Sequence, residues 1–501
     1  MPASAHRHSS PGLPPIIQGG MGVAVSSWRL ASAVARRGQL GVVSGTALDL
    51  VLARRLQDGD ADGAARRALD AFPAPEVAQR VLSRYLRPGG RPPGTPYDPV
   101  PKLGLRQSRA AQELTVVANF VEVWLAKEGH GGPVGINFLE KIQMATPAAA
   151  YGAILAGVDA VLVGAGIPRH LPRLLDDLAA HRPSRLPVDV AGDPTGDHGV
   201  EIDPPNLLGV DLPPAHRPFF LAIISSEALA KFLCRDDAIR PDGFVVEGPP
   251  AGGHNAPPRG RMVLDERGQP VFGPRDDADV AKIAALGLPF WLAGAFGSPA
   301  GVAAAIDAGA RGVQVGSEFA LSTDSGVTTD IRSRLLDGIR EGSLEVLTDA
   351  HASPTGFPFK VAQLDGTLSD PAVRTSRPRL CDLGYLRTPF LKDDGRVGFR
   401  CPAEPVNVWL RKGGDAPETD GRVCLCNALA ATVGLGQTRG DGEQDAPLVT
   451  LGTDLTGARR LAELHPDGWT AGHVLDWLLG EAGDAAETVH TPEAVGAYRR
   501  H

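Results

Sequence analysis

Residues 289–317 read PFWLAGAFGSPAGVAAAIDAGARGVQVGS. An apolar run ends in a Gly-rich turn, Ser298 stands where a helix N-cap belongs, and an alanine-rich segment follows. A second apolar run, GVQVGS (312–317), completes the unit. A strand, a helix and a second strand in this order form a parallel pair, because the chain must cross back before the second strand begins.

Working outward, the same alternation recurs. Apolar runs stand at 14–20, 40–45, 132–139, 160–166, 218–225 and 243–248, and with 289–296 and 312–317 they make eight. They are continuous rather than alternating, as expected of parallel strands covered on both faces. Helix-like segments such as SSWRLASAVARRG and TPAAAYGAILAGV separate them. Eight such units predict an α/β fold, a closed (β/α)8 TIM barrel, with a doubly wound open sheet as the alternative. The barrel is expected over 14–345, including a long insertion at 46–131 after the second strand. Residues 186–217 predict an extra hairpin or a bulging crossover, and 346–501 a loop-rich C-terminal extension partly packed on the barrel mouth.

The 501 residues carry a formal charge of −8, which argues against a nucleic-acid or anionic-membrane surface. No window approaches the roughly 20 apolar residues of a membrane span. The start, MPASAHRHSSPGLPP, lacks the apolar core of a secretory signal, and five cysteines do not form a disulfide scaffold. These features predict a cytoplasmic protein.

In a barrel the chemistry lies on the loops after the strands. IIQGGMG closes the first strand, and Gly20, Met21 and Gly22 let the backbone approach a flat ligand. Strands seven and eight end in WLAGAFGSP and VQVGSEF. Backbone amides at Gly294, Ala295 and Phe296, with Gly316 and Ser317, make a candidate phosphate cradle. A P-loop and a Rossmann glycine pattern are both absent. Asn137, at the end of the third strand, offers an amide that both donates and accepts, as the edge of a planar heterocycle requires. Glu140 and Lys141 beside it read equally well as a surface pair. GFVVEGPPAGGHNAPPRG (243–260) places Glu247, Gly253 and His254 on the same face, and His254 can take a proton near neutral pH.

The segments IIQGGMG, GIN, VEGPPAGGH, LAGAFGSP and GVQVGSEF, in order over residues 14–320, resemble the nitronate monooxygenase (2-nitropropane dioxygenase-like) flavoproteins. That family is similar to FMN-dependent enoyl reductases that act in trans on acyl carrier proteins. The resemblance implies FMN on a (β/α)8 barrel, with its phosphate at strands seven and eight. Gly20, Met21, Gly22 and Gly253 would lie by the flavin and Asn137 at its polar edge. Gly294, Gly316 and Ser317 would hold phosphate, and His254 takes the place of the catalytic histidine. The implied partners are a small acidic-carbon substrate and O2, or an acyl carrier protein thioester and NAD(P)H. A flavin-binding scaffold without catalysis is a third reading, weakened by His254. The loop here, PPAGGHNAPPRG, departs from the family's EAGGHRG pattern, which leaves the lid over the site open to variation.

Two features of the extension stand apart. Cys381, Cys401, Cys424 and Cys426 fall close together, whereas Cys234 lies far upstream. Four thiolates are a ligand set for zinc or an iron–sulfur cluster, although the spacing is not a paired CxxC, and packed reduced thiols are the plain alternative. SPTGFPFK (353–360) is expected to cross back over the barrel mouth, with Lys360 meeting an anionic substrate.

Overall fold

The computed structural model describes residues 12–440 and 442–481, so the chain start and the last twenty residues of the extension lie outside the described residues. Fourteen strands occur among the described residues. In chain order they are β1 (Ile16–Gln18), β2 (Leu40–Ser44), β3 (Val134–Leu139), β4 (Ala160–Gly164), β5 (Ser184–Pro187), β6 (Gly199–Ile202) and β7 (Phe219–Ile224). Then come β8 (Gly243–Glu247), β9 (Phe290–Ala293), β10 (Gly312–Val315), β11 (Val346–Asp349), β12 (Phe359–Ala362), β13 (Thr388–Leu391) and β14 (Val397–Arg400).

Eight of them close into a parallel barrel in the order β1-β10-β9-β8-β7-β4-β3-β2. Closure is made where Ile16 and Gln18 of β1 pair with Val313 and Val315 of β10. The open-sheet alternative is thereby excluded. All eight barrel strands fall within the eight apolar runs of the sequence.

The continuous apolar runs have a direct cause. Ile17, Leu40, Val42, Leu162, Leu221, Val245 and Trp291 pack inside the barrel. Their neighbours along the strands, among them Ile16, Val43, Val161, Phe220, Phe244 and Leu292, face the surrounding helices. Both faces are therefore buried, and neither tolerates a polar residue without a partner. Trp291 fills the interior at 1% exposure, and its indole N–H is satisfied by the Pro14 carbonyl at 3.0 Å. Burying such a side chain contributes about 1.5–3 kcal/mol or more.

The insertion at 46–131 is helical, with Leu48–Gln57, Ala64–Asp70 and Pro75–Tyr85 before the long helix Arg109–Lys127. That last helix is the ordinary crossover back to β3, so only the part before it is added to the barrel plan. Ser108 caps it by accepting from the Ala111 amide. Between β4 and β7 the chain makes an antiparallel hairpin, β5–β6, as the sequence allowed. The extension contributes two further antiparallel pairs, β11–β12 and β13–β14.

The extension meets the barrel at its mouth. The Gly452 amide donates to Ser317 Oγ at 2.8 Å, and the Thr453 amide to the Pro250 carbonyl at 3.0 Å. Trp469 is fully buried and donates its indole N–H to the Glu318 carbonyl. SPTGFPFK does return to the mouth, where β12 bridges the histidine loop: His254 pairs with Phe359, and the Lys360 amide donates to the Gly253 carbonyl. The Lys360 side chain does not meet a substrate, however. It is buried at 3% exposure, donates to Thr348 Oγ1 at 2.5 Å, and burial lowers its pKa to about 8. Among the described residues, no helix is long and apolar enough to cross a membrane.

Candidate active site

A cavity of about 220 Å³ opens at the C-terminal ends of the barrel strands. One buried water needs only ~10–15 Å³, so the space is of ligand size. Gly20, Met21, Gly22, Asn137, Gly253, His254, Gly294, Ala295, Gly316 and Ser317 all line it. Eight strand ends converge there because parallel strands all finish on one face.

Individual positions show why these residue types are needed. A Cβ on Gly20 would fall 2.3 Å from Asn137 Cβ, so this glycine lets β1 pass the Asn137 side chain. Gly253 has φ +79° and open space around its missing side chain, so it presents bare backbone to the cavity. Ala295 holds φ +64°, a left-handed conformation that costs a non-glycine residue of order 1 kcal/mol. Strain of this kind is retained where the backbone must aim its groups.

The β9 and β10 ends form the candidate cradle. The N–H groups of Ala295, Phe296, Gly297 and Ser317 make no hydrogen bond to another described residue. All four residues line the cavity. Ser298 caps the helix Pro299–Asp307 by accepting from the Gly301 amide at 3.0 Å. Unpaired amides at a cavity wall are a site for an anion, most simply a phosphate.

Some cavity residues were not anticipated. Gln314 points its Oε1 into a buried position without a hydrogen-bond partner, and it lines the cavity. Its signal was present: a lone amide inside the apolar run GVQVGS. Glu318 also lines the cavity at the cradle end. Burial pushes its carboxyl up to about 8, so it is neutral near pH 7 and does not repel an anion beside it. Tyr385, Leu386, Leu425 and Leu429 of the extension complete an apolar wall, and no sequence signal marked them. Gln18, by contrast, serves the fold: its side chain bonds Ser26 and both the N–H and C=O of Val42. Glu140 and Lys141 are not a surface pair. Glu140 bonds Gln143 and is pushed up to about 7 by burial, while Lys141 lies over the Phe357 ring at 4.6 Å.

His254 borders the cavity but is otherwise enclosed by protein. Its Nε2 meets Ser353 Oγ at 2.7 Å, and its ring stands edge-on to Phe359 at 4.8 Å. Ser353 in turn bonds Thr355 Oγ1 at 2.8 Å. Burial, aided by the Lys141 charge, lowers the histidine pKa to about 4, so the ring is neutral at working pH. Glu247 at the end of β8 is pushed up to about 7 by burial.

Residues 216–350 match the family model described as nitronate monooxygenase. That stretch is about a quarter of the chain. It carries β7 to β10, the His254 loop and the cradle, and it marks the barrel as that of an oxidoreductase. A curated relative from Mycobacterium tuberculosis, (3aS,4S,5R,7aS)-5-hydroxy-7a-methyl-1-oxo-octahydro-1H-indene-4-carboxyl-CoA dehydrogenase, is 30% identical over 122 residues. That match covers 24% of this chain and 31% of the relative. Among solved structures, FabK from Thermotoga maritima is similar at 16% identity and TM-score 0.47, covering 93% of this chain and 92% of that one. Nitroalkane oxidase from Streptomyces ansochromogenes is similar at 15% identity and TM-score 0.43, covering 94% and 96%.

Glu318 makes the site's stability depend on pH. Its proton is held in the folded chain up to about pH 8, against an ordinary value of 4.5. Its contribution is fully present below the ordinary value and is lost as pH rises through 8. Each tenfold change in proton affinity is about 1.4 kcal/mol, so several kcal/mol are at stake by pH 9. The Glu318→Gln variant keeps the shape and cannot ionise. Thermal melts at pH 6 and pH 9 should show the ligand-free wild type losing much more stability than the variant. Parallel losses would mean that Glu318 is not held neutral.

Proposed function

We propose that the chain is an FMN-dependent oxidoreductase that oxidises a nitronate or a related acidic-carbon compound with O2, in the cytoplasm. The observation that carries this reading is the neutral His254 at the wall of a cavity that also holds a cradle of unpaired amides. The residues fit FMN on three counts: the four free N–H groups suit its phosphate, the orphaned Gln314 Oε1 suits a donor on a buried ligand, and Gly253 leaves room for a ring. Gly294, Ala295, Gly316 and Ser317 would hold the phosphate end. Gly20, Met21, Gly22, Asn137 and Gly253 would hold the ring end. Bound FMN supplies two-electron acceptance from a carbon acid and reoxidation by O2. The five cysteines are all free thiols, as a reducing compartment would keep them.

The chain's own residues supply the rest. With Nε2–H donated to Ser353 Oγ, His254 Nδ1 is the lone pair that takes the α-proton. Ser353 Oγ, itself bonded to Thr355 Oγ1, can accept that N–H and so leave Nδ1 free. The apolar wall from the extension excludes water and favours an uncharged substrate before proton loss.

A second reading has its own support. The mycobacterial relative is named as a dehydrogenase of a bulky carboxyl-CoA, and the wall of Tyr385, Leu386, Leu425 and Leu429 suits an apolar acyl body. Under it the chain reduces an enoyl thioester, on acyl carrier protein or CoA, with NAD(P)H. One experiment separates the two. The purified protein should release FMN on denaturation, and mixing it anaerobically with a nitronate should bleach the flavin spectrum while NADPH should not. Bleaching by NADPH alone would reverse the order of the readings, and a protein unable to bind FMN would end both.

A further inference from the structure

Among the described residues, no group of three or more His, Cys, Asp or Glu could hold a metal ion, the four cysteines of the extension included. The feature of the extension that bears on ligand choice is an oxygen in the cavity wall. Of Tyr385, Leu386, Leu425, Cys426 and Leu429, only Tyr385 carries a side-chain oxygen. Its hydroxyl donates to Asp49 Oδ1 at 2.8 Å. Asp49 stands behind it, 3% exposed and outside the cavity lining, whereas Thr46 and Ala47 just before it do line the cavity. The contact joins the insertion to the extension across 336 residues of sequence.

The backbone on each side fixes the pair. Ala47 takes a left-handed φ of +55° and opens the helix Leu48–Gln57, with Asp49 in its first turn, where a carboxylate suits the helix dipole. Gly384, at φ +75°, turns the chain immediately before Tyr385. Arg387 holds that turn by donating to the Gly384 carbonyl at 3.0 Å and to the Leu103 carbonyl of the insertion at 2.8 Å.

Among the described residues, no lysine, arginine or histidine pairs with Asp49. Arg54, on the same helix, lies near Tyr385 but donates to the Leu435 carbonyl and covers the Tyr97 ring at 4.8 Å. Burial raises the Asp49 carboxyl to about 6 and pushes the Tyr385 phenol well above its ordinary value. At pH 8 the pair therefore holds one proton, on the tyrosine and directed at Asp49. The hydroxyl is left with lone pairs alone to offer a ligand. An anionic group is repelled there by the Asp49 charge, and an ammonium would have to shed its water against Leu386, Leu425 and Leu429. An uncharged donor is the partner that remains.

The barrel order sets where such a donor would stand on a ligand. β2, which leads to Asp49, is four strands from β8, which leads to His254, and in a ring of eight that is the opposite side. We propose that Tyr385, set by Asp49, is a specificity residue that selects ligands carrying an uncharged O–H or N–H donor remote from the reacting carbon. The placing of that carbon at His254 rests on the proposed function; the preference for a donor does not.

The test offers the full holoprotein 3-nitropropan-1-ol, 3-nitropropanamide and 1-nitrobutane, of equal chain length, at pH 8 without O2. Kd is taken from the concentration dependence of flavin bleaching or, where there is none, from calorimetry. The wild type should bind the alcohol or the amide at least about tenfold more tightly than 1-nitrobutane, which leaves the Tyr385 oxygen unpaired. The two arms tell an O–H from an N–H preference. Tyr385→Phe should bring the ratio to about one, and Asp49→Leu should lower it, because the hydroxyl can then turn its hydrogen to the cavity. Circular dichroism shows whether the variants fold. Equal binding of all three compounds, or binding of none, would overturn the proposal. So would a ratio that survives Tyr385→Phe, as expected if the pair only tied the insertion to the extension. Bleaching is read separately: the preference without bleaching defeats only the proposed function, and bleaching without the preference defeats only the subsite.

Discussion

His254→Ala is expected to lose about 10²–10⁴-fold in activity on a neutral nitroalkane, the usual range for a general base. Oxidation of the preformed nitronate should fall far less, because that substrate has already lost its α-proton. The geometry gives the reason. The ring is held by Ser353 and Phe359, and burial keeps it neutral down to about pH 4. In the ligand-free protein the base is therefore available throughout the neutral range. The kcat/KM for the neutral substrate should show no inflection between pH 6 and 7 of the kind an exposed histidine gives. The same lowered pKa acts on folding. Between pH 6.5 and 4 the unfolded chain binds a proton that the folded ring refuses, so this contribution to stability is lost as pH falls through that window. Steady-state rates on the two substrate forms decide the matter. Equal losses on both would make His254 a positioning residue rather than the base.

Gly316→Leu should weaken FMN binding by at least about a hundredfold while leaving the barrel folded. A Cβ at Gly316 meets the Met21 side chain, Sδ at 3.4 Å and Cγ at 3.9 Å, and no backbone atom within 4 Å, so the backbone itself tolerates a side chain. A leucine must extend into the cavity beside the unpaired amides of Ala295, Phe296 and Gly297. Losing roughly two charge-assisted hydrogen bonds at about 1.5–3 kcal/mol each gives the expected size. Gly316→Ala, which fits, should change affinity much less. Flavin titration of the two variants makes the comparison. Unchanged affinity in the leucine variant would place the phosphate elsewhere.

The eight barrel strands were legible in the sequence because each is buried on two faces. Ile16 and Ile17, or Val42 and Val43, face opposite ways and are both apolar, which leaves an uninterrupted run that few other contexts require. The glycines at the strand ends were legible for a related reason: a position such as Gly20, where any Cβ would strike Asn137, admits no other residue. His254 stood out as an imidazole in a loop too rich in Gly and Pro for regular structure.

Tertiary structure decided what depends on contacts distant in sequence. The sequence placed Lys360 near a substrate; its ammonium instead turns to Thr348 because β11 and β12 pair antiparallel and set those two residues opposite each other. The neutrality of Glu318 comes from its burial beneath the extension, where the Gly457 backbone and Trp469 cover it. Local sequence determines which backbone can be buried and where it must turn. Which side chains meet in the space that remains, and so their charge states, is determined only when the extension closes over the barrel mouth.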